Sequence, residues 1–182
     1  SIILSGGSDN NYTFDFVPGD FEITPATLMV TAHNQTKVYG ESNPELTFSY
    51  SGFINSDNED DLAEQPTIRT NIDEYSNAGS YPDSITFSGG MDDNYEFDFE
   101  PGDFEISKAP LTVIAVNDTI VYGEPIPELN VSYSGLVNGD DAGDLNVEPV
   151  ASLAAGEGIN AGNYAISLNV TSSDDYEITY QP

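Results

Sequence analysis

The sequence predicts an all-β fold arranged as tandem sandwich domains, on three observations: a long internal repeat, hydrophobic alternation of period two, and turn signals at short regular spacing. The repeat is the strongest of the three. Ser5 to Ala32 returns at Ser88 to Ala115, an offset of 83 residues, with 19 of 28 positions identical. The same offset carries VYGESNPEL (Val38 to Leu46) onto VYGEPIPEL (Val121 to Leu129), and Asn77 to Tyr81 onto Asn160 to Tyr164. Beyond that point the second copy is two residues shorter, so Tyr95 matches Tyr176. A period of about 80 residues is too long for a solenoid unit and suits a small domain strung in an array.

Within each unit, apolar residues alternate along short stretches. Leu28, Val30 and Ala32 form one such set, Leu46, Phe48 and Tyr50 a second, and Tyr95, Phe97 and Phe99 a third; Tyr12, Phe14 and Phe16 are an earlier copy of the last. Alternation of this kind marks strands with one buried face. Tyr39-Gly40, Ser51-Gly52, Ser88-Gly89-Gly90 and Pro101-Gly102 supply turns, at a spacing of roughly 8–12 residues. About seven short strands per unit is the pattern of a β-sandwich. One helical turn is expected in each copy, at Asp57 to Leu62 and Asp140 to Leu145, with an Asp capping the orphan N–H groups. Asn-Ala-Gly-x-Tyr, at Asn77 to Tyr81 and Asn160 to Tyr164, resembles the tight turn entering a late strand of Ig-like domains, where a Tyr packs inward and its hydroxyl bonds back to the preceding loop.

Two phases of the repeat are open. In one, residues 1–24 are the tail of a preceding repeat, 25–107 form a complete unit, and 108–182 form a second that lacks its last strand. In the other, 19–101 and 102–182 are the two units. The chain opens at Ser1 in mid-pattern, so it is expected to come from a longer precursor carrying the export signal and anchor. In either phase the connection is a few residues long and contains proline, which stiffens it and holds neighbouring units semi-rigidly.

Taken together, the A-x-L-x-V-x-A opening (Ala26 to Ala32, Ala109 to Ala115), the VYGE…PEL block, the SYSG[FL][IV]N block, the AG-x-Y turn and the NY-x-F-D-F…GDFEI ending resemble the mostly bacterial Ig-like (MBG) repeats of large surface proteins. The resemblance covers essentially the whole chain. It implies tandem Ig-like β-sandwich domains on secreted or cell-surface bacterial proteins, often adhesins, with no catalytic residues to carry over. A β-grasp-like α+β repeat is the alternative fold.

Charge narrows the choice of partner. The chain has 32 acidic against 3 basic residues and a formal net charge of −29. Nucleic acid is excluded, because displacing its counterions requires clustered Lys and Arg, and an anionic membrane surface is disfavoured for the same reason. No run of apolar residues is long enough to span a membrane. Disordered acidic chains lack aromatic and β-branched residues, whereas here they alternate with the acids, which places the charge on the faces of folded strands. Cysteine is absent, so the chain has neither a disulfide framework nor a thiolate metal site.

Enzyme chemistry has little to work with. His33 is the lone histidine and its counterpart is Val116, so no base sits beside a nucleophile in both copies. Calcium is the cofactor to consider, since acidic turns provide the six to eight oxygens it takes. Asp57 with Asp61 and Asp140 with Asp144 recur in the two copies and are the candidate ligands; a helix-capping Asp in a solvated turn is the competing account. Asp92, Asp93, Asp103 and Glu105 form a second acidic group near the expected junction. The functional expectation is a spacer or stalk repeat of a large surface adhesin, projecting a distal module. The alternative is direct adhesion to a surface glycan or protein through loops 53–61 and 136–144, with calcium assisting.

Overall fold

Twelve strands are seen in the computed structural model, which describes residues 2, 4–153, 160–169 and 172–181. The first repeat holds β1 (Ala26–Ala32), β2 (Gln35–Val38), β3 (Phe48–Ser51), β4 (Glu64–Thr70), β5 (Gly79–Met91), β6 (Tyr95–Glu100) and β7 (Gly102–Ser107). The second holds β8 (Ala109–Ala115), β9 (Val131–Ser134), β10 (Ala151–Leu153), β11 (Ile166–Leu168) and β12 (Tyr176–Gln181). The described residues contain no α-helix, only 3-10 turns at Glu59–Asp61 and Ala142–Asp144. The fold is therefore all-β and sandwich-type, and the α+β alternative is set aside.

Alternation fixes the buried faces. Leu28, Val30 and Ala32 turn inward from β1, as Leu111, Val113 and Ala115 do from β8. In β7 the pattern is strict: Gly102, Phe104 and Ile106 are buried, while Asp103, Glu105 and Ser107 face solvent. The partners of these strands are less obvious from sequence. β1 lies between β3, antiparallel, and β6, parallel, with Ala26 opposite Tyr95 and Leu28 opposite Phe97. The second repeat builds the same sheet from β9, β8 and β12, with Ala109 opposite Tyr176. The other sheet of the first repeat has the order β2-β7-β5-β4, again with a parallel pair, Gln35 opposite Phe104 and Lys37 opposite Ile106. Only Pro101 separates β6 from β7, so the chain crosses from one sheet to the other at that residue.

The two-residue length difference between the copies has a structural address. In the first repeat the β5–β7 register shifts between Tyr81 and Ile85, and Asp83 there takes φ 53°. The second repeat runs directly from Tyr164 through Ala165 to Ile166, so the Pro82-Asp83 bulge is what it lacks. In both copies the tyrosine at the turn behaves as expected: the Tyr81 hydroxyl donates to Asn77 O at 2.8 Å and Tyr164 to Asn160 O at 2.9 Å.

Buried side chains form two groups. Leu28, Leu62 and Tyr95 make one, within the first repeat. The other joins Ile72, Ile85, Phe104 and Ile106 of the first repeat to Leu111, Val113, Leu145 and Tyr176 of the second without interruption. Tyr39 belongs to this second group.

Candidate interaction site between the repeats

The Val-Tyr-Gly-Glu block builds a self-contained turn. Glu41 N donates to Val38 O at 3.1 Å, and the Glu41 carboxylate accepts from Val38 N at 3.1 Å. Its copy repeats both bonds, Glu124 N to Val121 O at 3.0 Å and Val121 N to the Glu124 carboxylate at 3.0 Å. Gly40 (φ 82°) and Gly123 (φ 93°) occupy the left-handed region that the turn requires, where a residue with a Cβ is strained. What differs is the fate of the tyrosine between them. Tyr39 is 7% exposed and Tyr122 is 72% exposed.

Tyr39 is buried because it reaches the second repeat. Its ring meets that of Tyr176 edge-on, centroids 5.5 Å apart and planes at 83°. Its hydroxyl donates to Asp140 Oδ2 at 3.1 Å, and the Tyr176 hydroxyl donates to the same oxygen at 2.6 Å. One carboxylate thus ties both repeats together. Two further bonds cross the junction: Ala78 N to Asp175 Oδ1 at 2.7 Å, and Asn138 Nδ2 to Glu74 O at 3.3 Å. Close packing finishes the joint, since a Cβ added at Gly40 would come within 2.7 Å of Val137 Cβ.

Burial governs the electrostatics here. Desolvation, followed by the hydrogen bond to the Asp140 carboxylate, pushes the Tyr176 phenol well above its ordinary pKa. Desolvation likewise raises Tyr39. Both phenols therefore stay protonated and act as donors to a carboxylate, a stronger bond than one between neutral groups. Lys37, on β2 beside the joint, is buried, with its Nζ donating to Glu41 O at 3.0 Å and to Asp73 O. Desolvation lowers its pKa, against the opposing pull of Asp73, Glu74 and Glu41.

The four acidic residues singled out as calcium candidates sit in two pairs with distinct jobs. Asp140 and Asp57 are tyrosine acceptors, Asp57 Oδ2 taking the Tyr95 hydroxyl at 2.8 Å. Asp61 and Asp144 close capping boxes: Asn58 N donates to Asp61 Oδ2 at 2.9 Å, and Asp141 N to Asp144 Oδ2 at 2.8 Å. The N-caps of the 3-10 turns are Asn58 and Asp141, one residue later than the sequence suggested, because Asp57 and Asp140 turn toward tyrosine instead. Among the described residues no group of three or more His, Cys, Asp or Glu side chains is placed to hold a metal ion. In the second acidic group, Asp92 caps Ala63 N at 3.1 Å and Asp103 accepts from Asp83 N at 3.0 Å. His33 is exposed, with Nδ1 3.0 Å from Thr47 Oγ1 and Nε2 3.4 Å from Ser49 Oγ.

From the sequence, Tyr39 is expected only in a turn, and Tyr95 and Tyr176 only on a strand face. A signal was available in the retention of tyrosine at positions 39 and 122, at the tip of a turn where solvent exposure would leave its identity unconstrained.

Compared with known proteins, the chain matches the model of the MBG domain (YGX type) twice in tandem, over residues 28–105 and 111–182. No curated protein and no solved structure matches.

Proposed function

Because the chain belongs to the MBG domain family (YGX type), a family typical of surface proteins, in two tandem copies, we propose that it serves as a structural spacer: a stiff stalk segment of a secreted or cell-surface protein that projects a distal module. Family and all-β fold both point to a non-catalytic repeat domain. The observation that carries the spacer reading is the buried cluster running unbroken from Ile85, Phe104 and Ile106 through Tyr39 to Val113 and Tyr176. Domains joined by a flexible tether bury little against each other, whereas a shared hydrophobic core resists bending. The covalent link is equally short, since Lys108 alone separates β7 from β8, and its Nζ donates to Ser173 O at 2.6 Å.

The test is the distribution of distances between the repeats. Since the chain has no cysteine, one introduced on an exposed strand position of each repeat can be spin-labelled cleanly. A single narrow distance distribution is expected for the native chain, and a broad one for Tyr39→Ala, whose loss of buried aromatic area should also cost about 3 kcal/mol or more. Tyr122→Ala should leave the distribution narrow. A broad distribution in the native chain would rule out a stiff spacer.

A further inference from the structure

The three basic residues of the chain are used in different ways. Lys37 and Lys108 spend their ammonium groups on backbone carbonyls, Lys37 on Glu41 O and Asp73 O and Lys108 on Ser173 O. Arg69 does not. In a chain with 32 acidic residues, its guanidinium has no ion-pair or hydrogen-bond partner among the described residues. Along β4, Pro66, Ile68 and Thr70 turn inward while Thr67 and Arg69 are exposed, which puts Arg69 on the outer face of the sheet, opposite Thr86 of β5. There it borders an open cleft of about 360 Å³ lined by Arg69, Thr70, Asn71, Asp83, Ser84 and Thr86. The β5 bulge brings Asp83 to this cleft. Asp83 holds φ 53°, which Asp tolerates better than most residues, and its N–H donates to Asp103 Oδ1 at 3.0 Å. The Asn71 amide, the Asp83 carboxylate and the Thr86 hydroxyl are, like Arg69, without a partner among the described residues. The fold itself does not require this set: the second repeat has Ser152, Ala154, Ala165 and Ser167 in place of Arg69, Asn71, Ser84 and Thr86, and lacks Asp83.

We propose that this cleft of the first repeat binds a neutral sugar ring of a glycan. Adjacent hydroxyls of a sugar both give and take hydrogen bonds, and the free groups here match them: Arg69 only donates, the Asp83 carboxylate only accepts, and Asn71 and Thr86 do both. Guanidinium and carboxylate groups also form the stronger, charge-assisted bonds, and their planar forks can engage two neighbouring oxygens at once. Size agrees, since the cleft lies at the small end of the range for small-molecule sites, about 300–1,000 Å³. Charge sets aside the anions that an arginine otherwise attracts. A phosphate or carboxylate entering the cleft meets Asp83 and the field of a chain with net charge −29, both repulsive, whereas a neutral ring is indifferent to that field. Water competes for every bond in so open a cleft, so the affinity for a single ring is expected to be about millimolar. The site does not depend on the spacer reading, which concerns stiffness between the repeats.

Backbone amide shifts of the isotope-labelled full chain test this, on titration to tens of millimolar with the methyl glycosides of glucose, galactose, mannose and N-acetylglucosamine. Sodium glucuronate serves as the anionic comparison and glycerol as a polyol without a ring. At least one neutral glycoside should give saturable shifts at 69–71 and 83–86, with none at 152–153 or 165–168. Arg69→Met keeps the stem but removes the donors, and Asp83→Asn keeps a residue suited to the left-handed backbone but removes the charged acceptor. Each should weaken binding by about tenfold or more, as loss of a hydrogen bond to a charged group does. Both variants should keep the native melting temperature, because the two side chains are exposed and unpartnered among the described residues. No saturable shift with any of the four glycosides would overturn the proposal, as would shifts that glycerol reproduces or that survive both substitutions. Glucuronate binding more tightly than the neutral rings, and weakening as NaCl is added, would overturn it in favour of an anion site.

Discussion

The two repeats share most of their turn and core residues yet differ in what they complete. In the first, β2, β7, β5 and β4 form a continuous sheet with Phe104 at its centre; among the described residues of the second, the matching region is the β10–β11 pair, and the segment corresponding to β2 forms no strand and is exposed. The sheet built on the opening strand is the same in both, β3-β1-β6 and β9-β8-β12. The lesson is that this fold consists of two unequal halves. One is made locally from the opening strand, its antiparallel neighbour and the NY-x-F strand. The other is held together by the GDFEI strand, which ties β2 to β5 through one parallel and one antiparallel ladder.

The comparison breaks most sharply at phenylalanine. Phe104→Ala removes a fully buried ring and should destabilise the first repeat by about 3–5 kcal/mol, read by urea denaturation. Phe21→Ala, at the same place in the earlier copy of the motif, should change stability by no more than about 0.5 kcal/mol, as exposed substitutions do. Equal costs would mean that the GDFEI strand is not what separates the two repeats.

A second pair of substitutions isolates the joint. Gly40→Ala and Gly123→Ala both force a side chain into the left-handed region, at about 1–2 kcal/mol each. At Gly123 nothing lies within 4 Å of the added carbon, whereas at Gly40 it meets Val137. Gly40→Ala should therefore cost about 1–3 kcal/mol more, the usual penalty of overpacking. The excess should vanish in a Gly40→Ala/Val137→Ala background, and thermal melts of the four chains decide the matter.

How much of this could be read from the chain is set by what each residue pattern encodes. Alternation in Leu28-Val30-Ala32 or Phe104-Ile106 names the buried face, because side chains on a strand point to opposite sides in turn. It does not name the neighbour, so the parallel pairing of β1 with β6 and of β2 with β7 was invisible. The Asn-Ala-Gly-x-Tyr turns were legible because their bond runs only four residues back. Tyr39 was not, since its partners Asp140 and Tyr176 lie 101 and 137 positions away, and a turn residue that serves the next repeat looks locally like one that serves its own. The missing Pro82-Asp83 was visible as a gap, but only the ladder shows that those residues are a bulge.

The acidic turns offer the smallest expected effect and the finest distinction between the copies. Calcium prefers several carboxylate or carbonyl oxygens converging on one point. Asp140 already accepts two phenol hydroxyls and Asp57 one, while Asp61 and Asp144 are aimed at backbone N–H groups of their own turns. Placing a cation at either turn means giving up those bonds, and a carboxylate removed from a buried donor leaves a costly orphan. With a net charge of −29, the chain should still gain stability from any salt through screening. Melting temperature is therefore expected to rise equally with millimolar CaCl2 and with NaCl of matched ionic strength. Asp140→Asn should lower it more than Asp57→Asn, because two hydroxyls lose a charged acceptor instead of one. A rise specific to calcium that disappears with chelator, and that Asp140→Asn abolishes, would instead make these turns ligands and bring the joint between the repeats under the control of a cation.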